Sequence, residues 1–269
     1  MNTLQKVIAF TTLTTLSTFG LANAAQAGVS FRMNHGVAYG DNGDMGITSQ
    51  VDNTATVDFN DLIPNKKGSK SSENFSTDFA TYTFENGNKS SVIADKWGPE
   101  NIDGSVNKDN PYLAVFSGDQ VTIELTETAS YFGMNWGSVS RNNKIEFYNG
   151  EQLVSTFQSA GDNPNEVVEG QEELNAVWQL INADGSHQAT NFWNEADAYL
   201  EFWANDVSSL FDRIVMTQVS RKGGGFETDN HSFLLSDKPF DPEAVPEPGM
   251  VVGLLAVGGL IVKKVGRKS

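Results

Sequence analysis

The 269-residue chain contains no cysteine. That absence eliminates disulfide staples, thiol nucleophiles and zinc–thiolate sites together. It says nothing against export, because a chain of this length can be stable on its core alone. Histidine is nearly as scarce. His35, His187 and His231 are the whole set, and none sits in an H-E-x-x-H or other recognisable metal pair. A G-x-S-x-G nucleophile elbow is missing as well. The two acids of a glycosidase usually come from different strands and cannot be located by spacing, so no catalytic residue is assigned.

Positive charge is also in short supply. The formal net charge is −16, from 18 Lys and Arg against 34 Asp and Glu. Lys6, Lys263, Lys264, Arg267 and Lys268 lie in terminal segments that hold no acid, which leaves residues 28–248 with 13 basic against 34 acidic residues, a net of −21. Such a field repels nucleic-acid phosphates and anionic lipid, so nucleic acid is excluded as a partner. It suits solubility outside a cell, or the binding of calcium or another cationic partner.

Long apolar runs are confined to the two ends. At the first, a single lysine, Lys6, precedes a mostly apolar, threonine-rich stretch from Val7 to Leu21, followed by Ala22-Asn23-Ala24-Ala25-Gln26-Ala27. This is the layout of a secretory signal peptide over residues 1–27, with Ala25 and Ala27 as the small residues of the preferred cleavage site and Ala24 ending a second one. The Sec translocon and signal peptidase are the implied partners. The other end opens with residues 239–249, which hold Pro239, Pro242, Pro246 and Pro248, half of the chain's eight prolines. Proline fixes φ and disfavours helix in its predecessor, so the segment is expected to be extended and accessible. An uncharged run over residues 250–262 follows, then a basic tail over 263–269. A comfortable transmembrane helix needs about 20 apolar residues. This shorter run, weakened by Gly253, Gly258 and Gly259, is expected to be a temporary inner-membrane anchor with its basic tail in the cytoplasm.

Val245-Pro246-Glu247-Pro248, the short glycine-containing apolar run and the cations Lys263, Lys264, Arg267 and Lys268 together resemble a PEP-CTERM sorting signal. The resemblance covers about residues 245–269. It implies recognition by an exosortase, a membrane-embedded processing enzyme of bacteria that make exopolysaccharide. It also implies a destination at the cell surface or in the extracellular matrix.

Between the ends, 39% hydrophobic and 10% aromatic residues are too many for a disordered chain, while 25 glycines and abundant Asn, Asp, Ser and Thr imply many turns. Period-two alternation is clear in Gln120–Thr126, where Val121, Ile123 and Leu125 alternate with polar residues. Similar runs occur at Thr54–Phe59, Phe79–Phe84, Tyr112–Phe116, Lys144–Tyr148, Leu153–Phe157, Tyr199–Trp203 and Phe211–Val219. Asn149-Gly150 reads as a hairpin turn, with Asn86-Gly87 a weaker instance. Only Glu166–Ile181, divided by Gly170, has any helical character. Strands recur without a linker, which predicts one all-β domain over residues 28–238, a β-sandwich. The segments Ala129–Ser138, Asn143–Gly150, Phe211–Met216 and Gly225–His231 resemble parts of the jelly-roll ectodomains of exosortase-dependent surface proteins. That resemblance implies a surface role and supplies no reaction.

Two sets of residues could bind something. Glu227, Asp229 and Asn230 follow Gly223-Gly224-Gly225 and offer the clustered oxygens that a structural calcium ion requires, although Asx residues after glycines also form turns by bonding their own backbone. Asp41-Asn42-Gly43-Asp44 is a second oxygen-rich loop, adequately explained by turn chemistry. Among the five tryptophans, Trp136 and Trp203 lie in strand-like runs and belong to a core, whereas Trp97 and Trp193, beside Gly and Asn, are candidates for stacking on a polysaccharide. The expectation is a non-catalytic, exported surface or matrix protein that binds exopolysaccharide. A secreted carbohydrate-active enzyme and a purely structural biofilm matrix component are its alternatives.

Overall fold

The computed structural model describes residues 28–34, 36–40, 45–85, 89–95, 97–99, 101, 105–139, 142–158, 196–219 and 224–242. Their architecture is all-β. The strands are β1 (Val29–Asn34), β2 (Val37–Ala38), β3 (Ile47–Thr48), β4 (Ala55–Val57), β5 (Lys70–Ser71), β6 (Phe75–Ser76), β7 (Ala80–Phe84) and β8 (Ser91–Ile93). They continue with β9 (Tyr112–Phe116), β10 (Asp119–Val139), β11 (Asn143–Asn149), β12 (Gln152–Gln158), β13 (Ala196–Ala204), β14 (Phe211–Gln218) and β15 (Gly225–Leu235). Among the described residues no helix is long and apolar enough to cross a membrane. The expected anchor over 250–262, the Glu166–Ile181 segment and the sorting tail lie outside the described residues.

The 21-residue strand β10 organises the rest. Its first half pairs with β14, from Asp119↔Gln218 to Glu124↔Arg213, and with β7, from Val121↔Phe84 to Leu125↔Ala80. Its second half pairs with β13, from Tyr131↔Trp203, and with β15, ending at Gly137↔Glu227. All these pairings are antiparallel, so one strand belongs to two sets of neighbours. β11 and β12 extend the first set beyond β14, and β9, β8 and β5 extend the second beyond β15. Thirteen strands form this sheet, with β2 and β3 apart as a small ribbon.

The two sets pack their apolar faces together. Phe31 (β1), Phe132 (β10) and Phe202 (β13) meet Phe147 (β11) and Phe157 (β12), with ring centroids 5.3 Å apart for Phe147–Phe202, 5.2 Å for Phe157–Phe202 and 5.4 Å for Phe31–Phe157. Edge and tilted contacts of this kind add to the burial of large aromatic surfaces. One buried cluster takes residues from Val29 to Phe233, so the described strands share a core.

The expected hairpin is present as β11–β12, but its turn is displaced by one residue. Asn149 still pairs with Gln152, leaving Gly150 and Glu151 as the loop, and Gly150 takes φ +55°. Asn149 is held in the strand because its amide nitrogen donates to Leu210 O at 3.0 Å, while Gly150 N donates to Asp212 Oδ1 at 2.9 Å.

His231 is wholly buried among Phe59, Tyr82, Phe132 and Phe233. Its Nδ1 lies 3.0 Å from the Tyr82 hydroxyl and its Nε2 2.9 Å from Thr228 Oγ1. Burial without a counter-charge disfavours the imidazolium and pushes its pKa from 6.5 down to about 3. The unfolded chain therefore binds a proton that the folded chain refuses. Stability from this residue is complete above the ordinary histidine pKa and is lost as pH falls through the interval toward the folded value. Urea titrations should show His231 accounting for about 2 kcal/mol of lost stability between pH 7 and pH 5. His231→Gln, which keeps hydrogen-bonding groups but cannot titrate, should flatten that part of the slope. An identical pH dependence in the variant would contradict the assignment.

Candidate functional site: a covered polar face and its exposed rim

The second half of β10 alternates without interruption. Phe132, Met134 and Trp136 enter the core, whereas Tyr131, Gly133, Asn135 and Gly137 face the other way. The neighbouring strands add Arg32 (β1), Tyr199 and Glu201 (β13), Glu227 and Asp229 (β15) and Tyr112 (β9) to that opposite face. Tyr112, Tyr131, Tyr199, Asn135, Glu201 and Asp229 are buried, yet none belongs to the apolar core. They form a polar layer, covered among the described residues by Gly36, Gly46, Ser49, Pro99 and Asn110.

One end of this layer is an ion-pair network. Arg32 Nε donates to Glu201 Oε2 at 2.5 Å, and the Tyr131 hydroxyl donates to Glu201 Oε1 at 2.7 Å. Ser49 Oγ lies 2.8 Å from the same hydroxyl. Burial, together with the charge of Glu201, raises the Tyr131 pKa far above its ordinary value, so this phenol stays a donor at any physiological pH. Glu201 is fully buried and Arg32 is partly exposed, which spares the pair some of the desolvation cost of a closed salt bridge. Arg32 also stacks over Trp203, 5.6 Å from the ring centroid. Trp203 therefore lies on this polar face; strand alternation sets it opposite Phe202, which is the residue that enters the core.

The middle of the layer is built around a β-bulge. Gly133 pairs with Ser232 but Asn135 pairs with Asp229, so β15 carries one extra residue between them, and Asn230 takes φ +49° there. The bulge shifts the alternation by one, which lets Asp229 and Ser232 share a face while Thr228 and His231 share the other. Glu227, Asp229 and Asn230, expected in a loop after the glycines, thus sit in a central strand. Asp229 accepts Asn110 Nδ2 at 2.9 Å and the Asn230 backbone N–H at 2.7 Å. Asn230 Nδ2 donates to Met45 O and Ile47 O, at 2.7 and 3.1 Å. Those donations fix the amide's orientation, and its buried Oδ1 has no hydrogen-bond partner among the described residues. Gly46 is pressed so closely onto this spot that a Cβ on it would lie 2.9 Å from Asn230 Nδ2 and 3.7 Å from Asp229 Oδ2.

Desolvation, reinforced by the charge of Asp58, raises the Asp229 pKa well above that of an ordinary carboxylic acid, against the opposing hydrogen bonds from Asn230 and Asn110. Glu227 departs in another direction, its carboxylate folded back over Gly225, where a Cβ would collide with Oε1. Among the described residues no three His, Cys, Asp or Glu side chains form a group that could hold a metal. The oxygens that could contribute to a cation site here are the Asp229 carboxylate and Asn230 Oδ1.

The far end reaches the surface. The Tyr112 hydroxyl donates to Asp95 Oδ1 at 2.5 Å, and Trp97 N donates to the same oxygen at 2.8 Å. Trp97 is 47% exposed, in contrast to Trp136, which is 1% exposed and packs on Phe226 in the core as the alternation requires. Trp193, His35, His187 and Asp41–Asp44 lie outside the described residues.

Arg32, Asn110, Asn101, Asp95 and Tyr112 were invisible as site residues in the sequence, because their contacts with Glu201, Asp229, Gly46 and, between the last two, with each other are tertiary and leave no local spacing to read. The readable clue was Gly133 and Gly137, which recur on the polar side of a strand otherwise rich in large residues. No family model matches the chain, and no curated protein matches it.

Gly133 lies directly under the Tyr131 and Tyr199 hydroxyls, with a would-be Cβ 2.6 Å from the former. Gly133→Ala is expected to cost about 1–3 kcal/mol by overpacking. Removing one hydroxyl in the Gly133→Ala, Tyr199→Phe double variant should recover part of the loss, read as non-additivity in urea denaturation. Strict additivity would show that the glycine is not there for the hydroxyls.

Proposed function

We propose that the chain is a non-catalytic, exported protein of the cell surface or extracellular matrix, processed by an exosortase, whose jelly-roll-like β-sandwich binds exopolysaccharide. The observation that carries this reading is the sequence order of the last 25 residues: Val245-Pro246-Glu247-Pro248, the uncharged run 250–262, and Lys263, Lys264, Arg267 and Lys268. An amino-terminal segment with the grammar of a signal peptide supports it. So does a surface with a net of −21 over residues 28–248, suited to solubility outside the cell. In this scheme the Sec translocon exports the chain, signal peptidase cuts after Ala27, and the short apolar run holds it briefly in the inner membrane. The exosortase then acts at the proline-rich segment. A strand that exchanges partners midway, as β10 does, supports the two-sheet sandwich part of this reading.

Cell fractionation with Pro246→Ala and Glu247→Ala variants tests the sorting step. The unprocessed chain should accumulate in the membrane fraction with its basic tail intact, as read by mass spectrometry of the carboxyl terminus. Wild-type processing and location in both variants would remove the proposal.

A structural calcium ion is part of the same reading, held by Asp229 and Asn230; Glu227, the other member of the sequence cluster, turns its carboxylate over Gly225 and is not a ligand in this arrangement. The raised Asp229 pKa means that its neutral form favours folding below the ordinary carboxylate range, and that this contribution is lost as pH rises through the folded value. At neutral pH a cation would offset the cost of the buried carboxylate. Chelation should lower the melting temperature on the order of 5 °C. Asp229→Asn should abolish the response to calcium and to chelator alike. A melting temperature indifferent to both in the wild type would eliminate the ion.

A further inference from the structure

We infer that Ser209 and Asp206 form a binding site for the α-ammonium group that cleavage after Ala27 creates on Gly28, so that maturation adds an ion pair to the fold. This rests on the export reading above and adds what the new terminus does.

The first strand begins beside this junction. Gly28 N donates to Ser209 Oγ at 2.8 Å, and Gly28 O accepts from Asn205 N at 3.2 Å. Val29 N donates to Ser155 Oγ of β12 at 2.9 Å. Residue 28 is therefore held through both its nitrogen and its carbonyl, one position ahead of the first β1–β13 pair, Val29↔Ala204. Ser209 is buried, and its hydroxyl donates in turn to Asp206 Oδ1 at 2.7 Å. Ser208 Oγ donates to the same oxygen at 2.7 Å, which fixes the carboxylate across the short 3-10 turn Val207–Ser209. The donations from Ser208 and Ser209 hold the Asp206 pKa below that of an ordinary aspartate, so the group is anionic. Nitrogen, hydroxyl and carboxylate thus form a chain of hydrogen bonds in which every donor points toward the negative end.

Hydrolysis of the Ala27–Gly28 bond gives the hydroxyl of water to the Ala27 carbonyl carbon and its proton to Gly28 N. The carboxyl group so formed departs ionised with the signal peptide, and its proton completes the ammonium, since an α-amino group has a pKa of about 8. One N–H donor becomes three, on a nitrogen that carries a positive charge. The bond to Ser209 is then charge-assisted, and Asp206 lies one hydroxyl away, within the roughly 4–6 Å over which opposite charges favour each other's ionised forms. A hydroxyl backed by an anion matches an ammonium and exceeds what a neutral amide needs. The acidic excess of the domain adds to the preference for a cation here. In the Sec scheme the cut precedes folding, so the site closes on a terminus that already exists.

The effect reaches the polar layer. Among the described residues β1 pairs with β13 alone, and it carries Arg32, whose partner Glu201 stands on β13. Anchoring Gly28 holds β1 in the register that brings this pair together. A chain cut instead after Ala24 would keep Ala25-Gln26-Ala27 ahead of Gly28, and with them a neutral amide at the site.

Two purified chains test this, one beginning at Gly28 and one at Ala25, both running to Ser269 and compared in the same detergent buffer. The chain beginning at Gly28 should melt about 3 °C higher at neutral pH. Asp206→Asn in both chains should remove more than half of that difference, and any cost of the substitution common to both cancels in the comparison. Equal melting temperatures, or a difference untouched by Asp206→Asn, would overturn the ammonium site. Mass spectrometry of the exported chain separates the site from the reading beneath it. A terminus at Gly28 supports both, a terminus at Ala25 keeps export and removes the docked ammonium, and an uncleaved terminus removes both.

Discussion

The constraint on which this molecule depends is the length and two-sidedness of β10. A strand that pairs with β7 and β14 along one half and with β13 and β15 along the other obliges its neighbours to form two layers, and the layers bury its apolar side between them. Because side chains alternate, the same geometry forces Tyr131, Asn135 and the two glycines onto the opposite surface. That surface would be an ordinary wet face of an antiparallel sheet were it not roofed by loops. Once it is roofed, its polar groups depend on partners within the protein, and the Arg32–Glu201–Tyr131 and Asn110–Asp229–Asn230 networks supply them, with Asn230 Oδ1 left over among the described residues.

The networks and the exposed rim are mechanically one object. Residues 45–47 are clamped by Asn230, Gly46 N donates to Asn101 Oδ1 at 2.9 Å, and Asn101 N donates to Ser105 O at 2.8 Å. The roof is therefore tied to β15 and to the segment that carries Trp97. A polar layer of this kind contributes little net stability, but it discriminates strongly between one arrangement of the loops and others, since a misplaced loop leaves buried amides and carboxylates without partners.

Much of the strand content was legible in the sequence, for a specific reason. Tyr112–Phe116, Lys144–Tyr148 and Phe211–Val219 carry apolar residues that a buried strand needs, and the structure has strands there. Gly225–Leu235 was harder to read. It is buried on both faces, one apolar and one polar, and the bulge at Asn230 breaks its period, so Glu227, Asp229 and Asn230 looked like turn formers. β2, β3, β5 and β6 are two-residue strands whose pairing comes from tertiary context and leaves no local periodicity. Of the candidate site, the exposure of Trp97 was anticipated from its glycine neighbour. Its link to Asp95 and Tyr112 was not, because Tyr112 reads locally as one more apolar strand residue. Trp203 was misassigned to the core because Trp is a strand-former on either face, and only the phase set by Phe202 decides which.

The roofed polar layer also bears on how the molecule responds to temperature. Exposing apolar surface raises heat capacity and exposing polar surface lowers it, so an opening confined to the roof would wet Asn, Asp, Glu and Tyr groups while leaving the aromatic core dry. Such an opening would carry a small or negative heat-capacity change, in contrast to the large positive one of melting the Phe-rich interior. The two sides of one strand thus belong to different thermal regimes: an interior whose grip weakens in the cold as hydrophobic association fades, and a cover whose hydrogen bonds do not share that dependence.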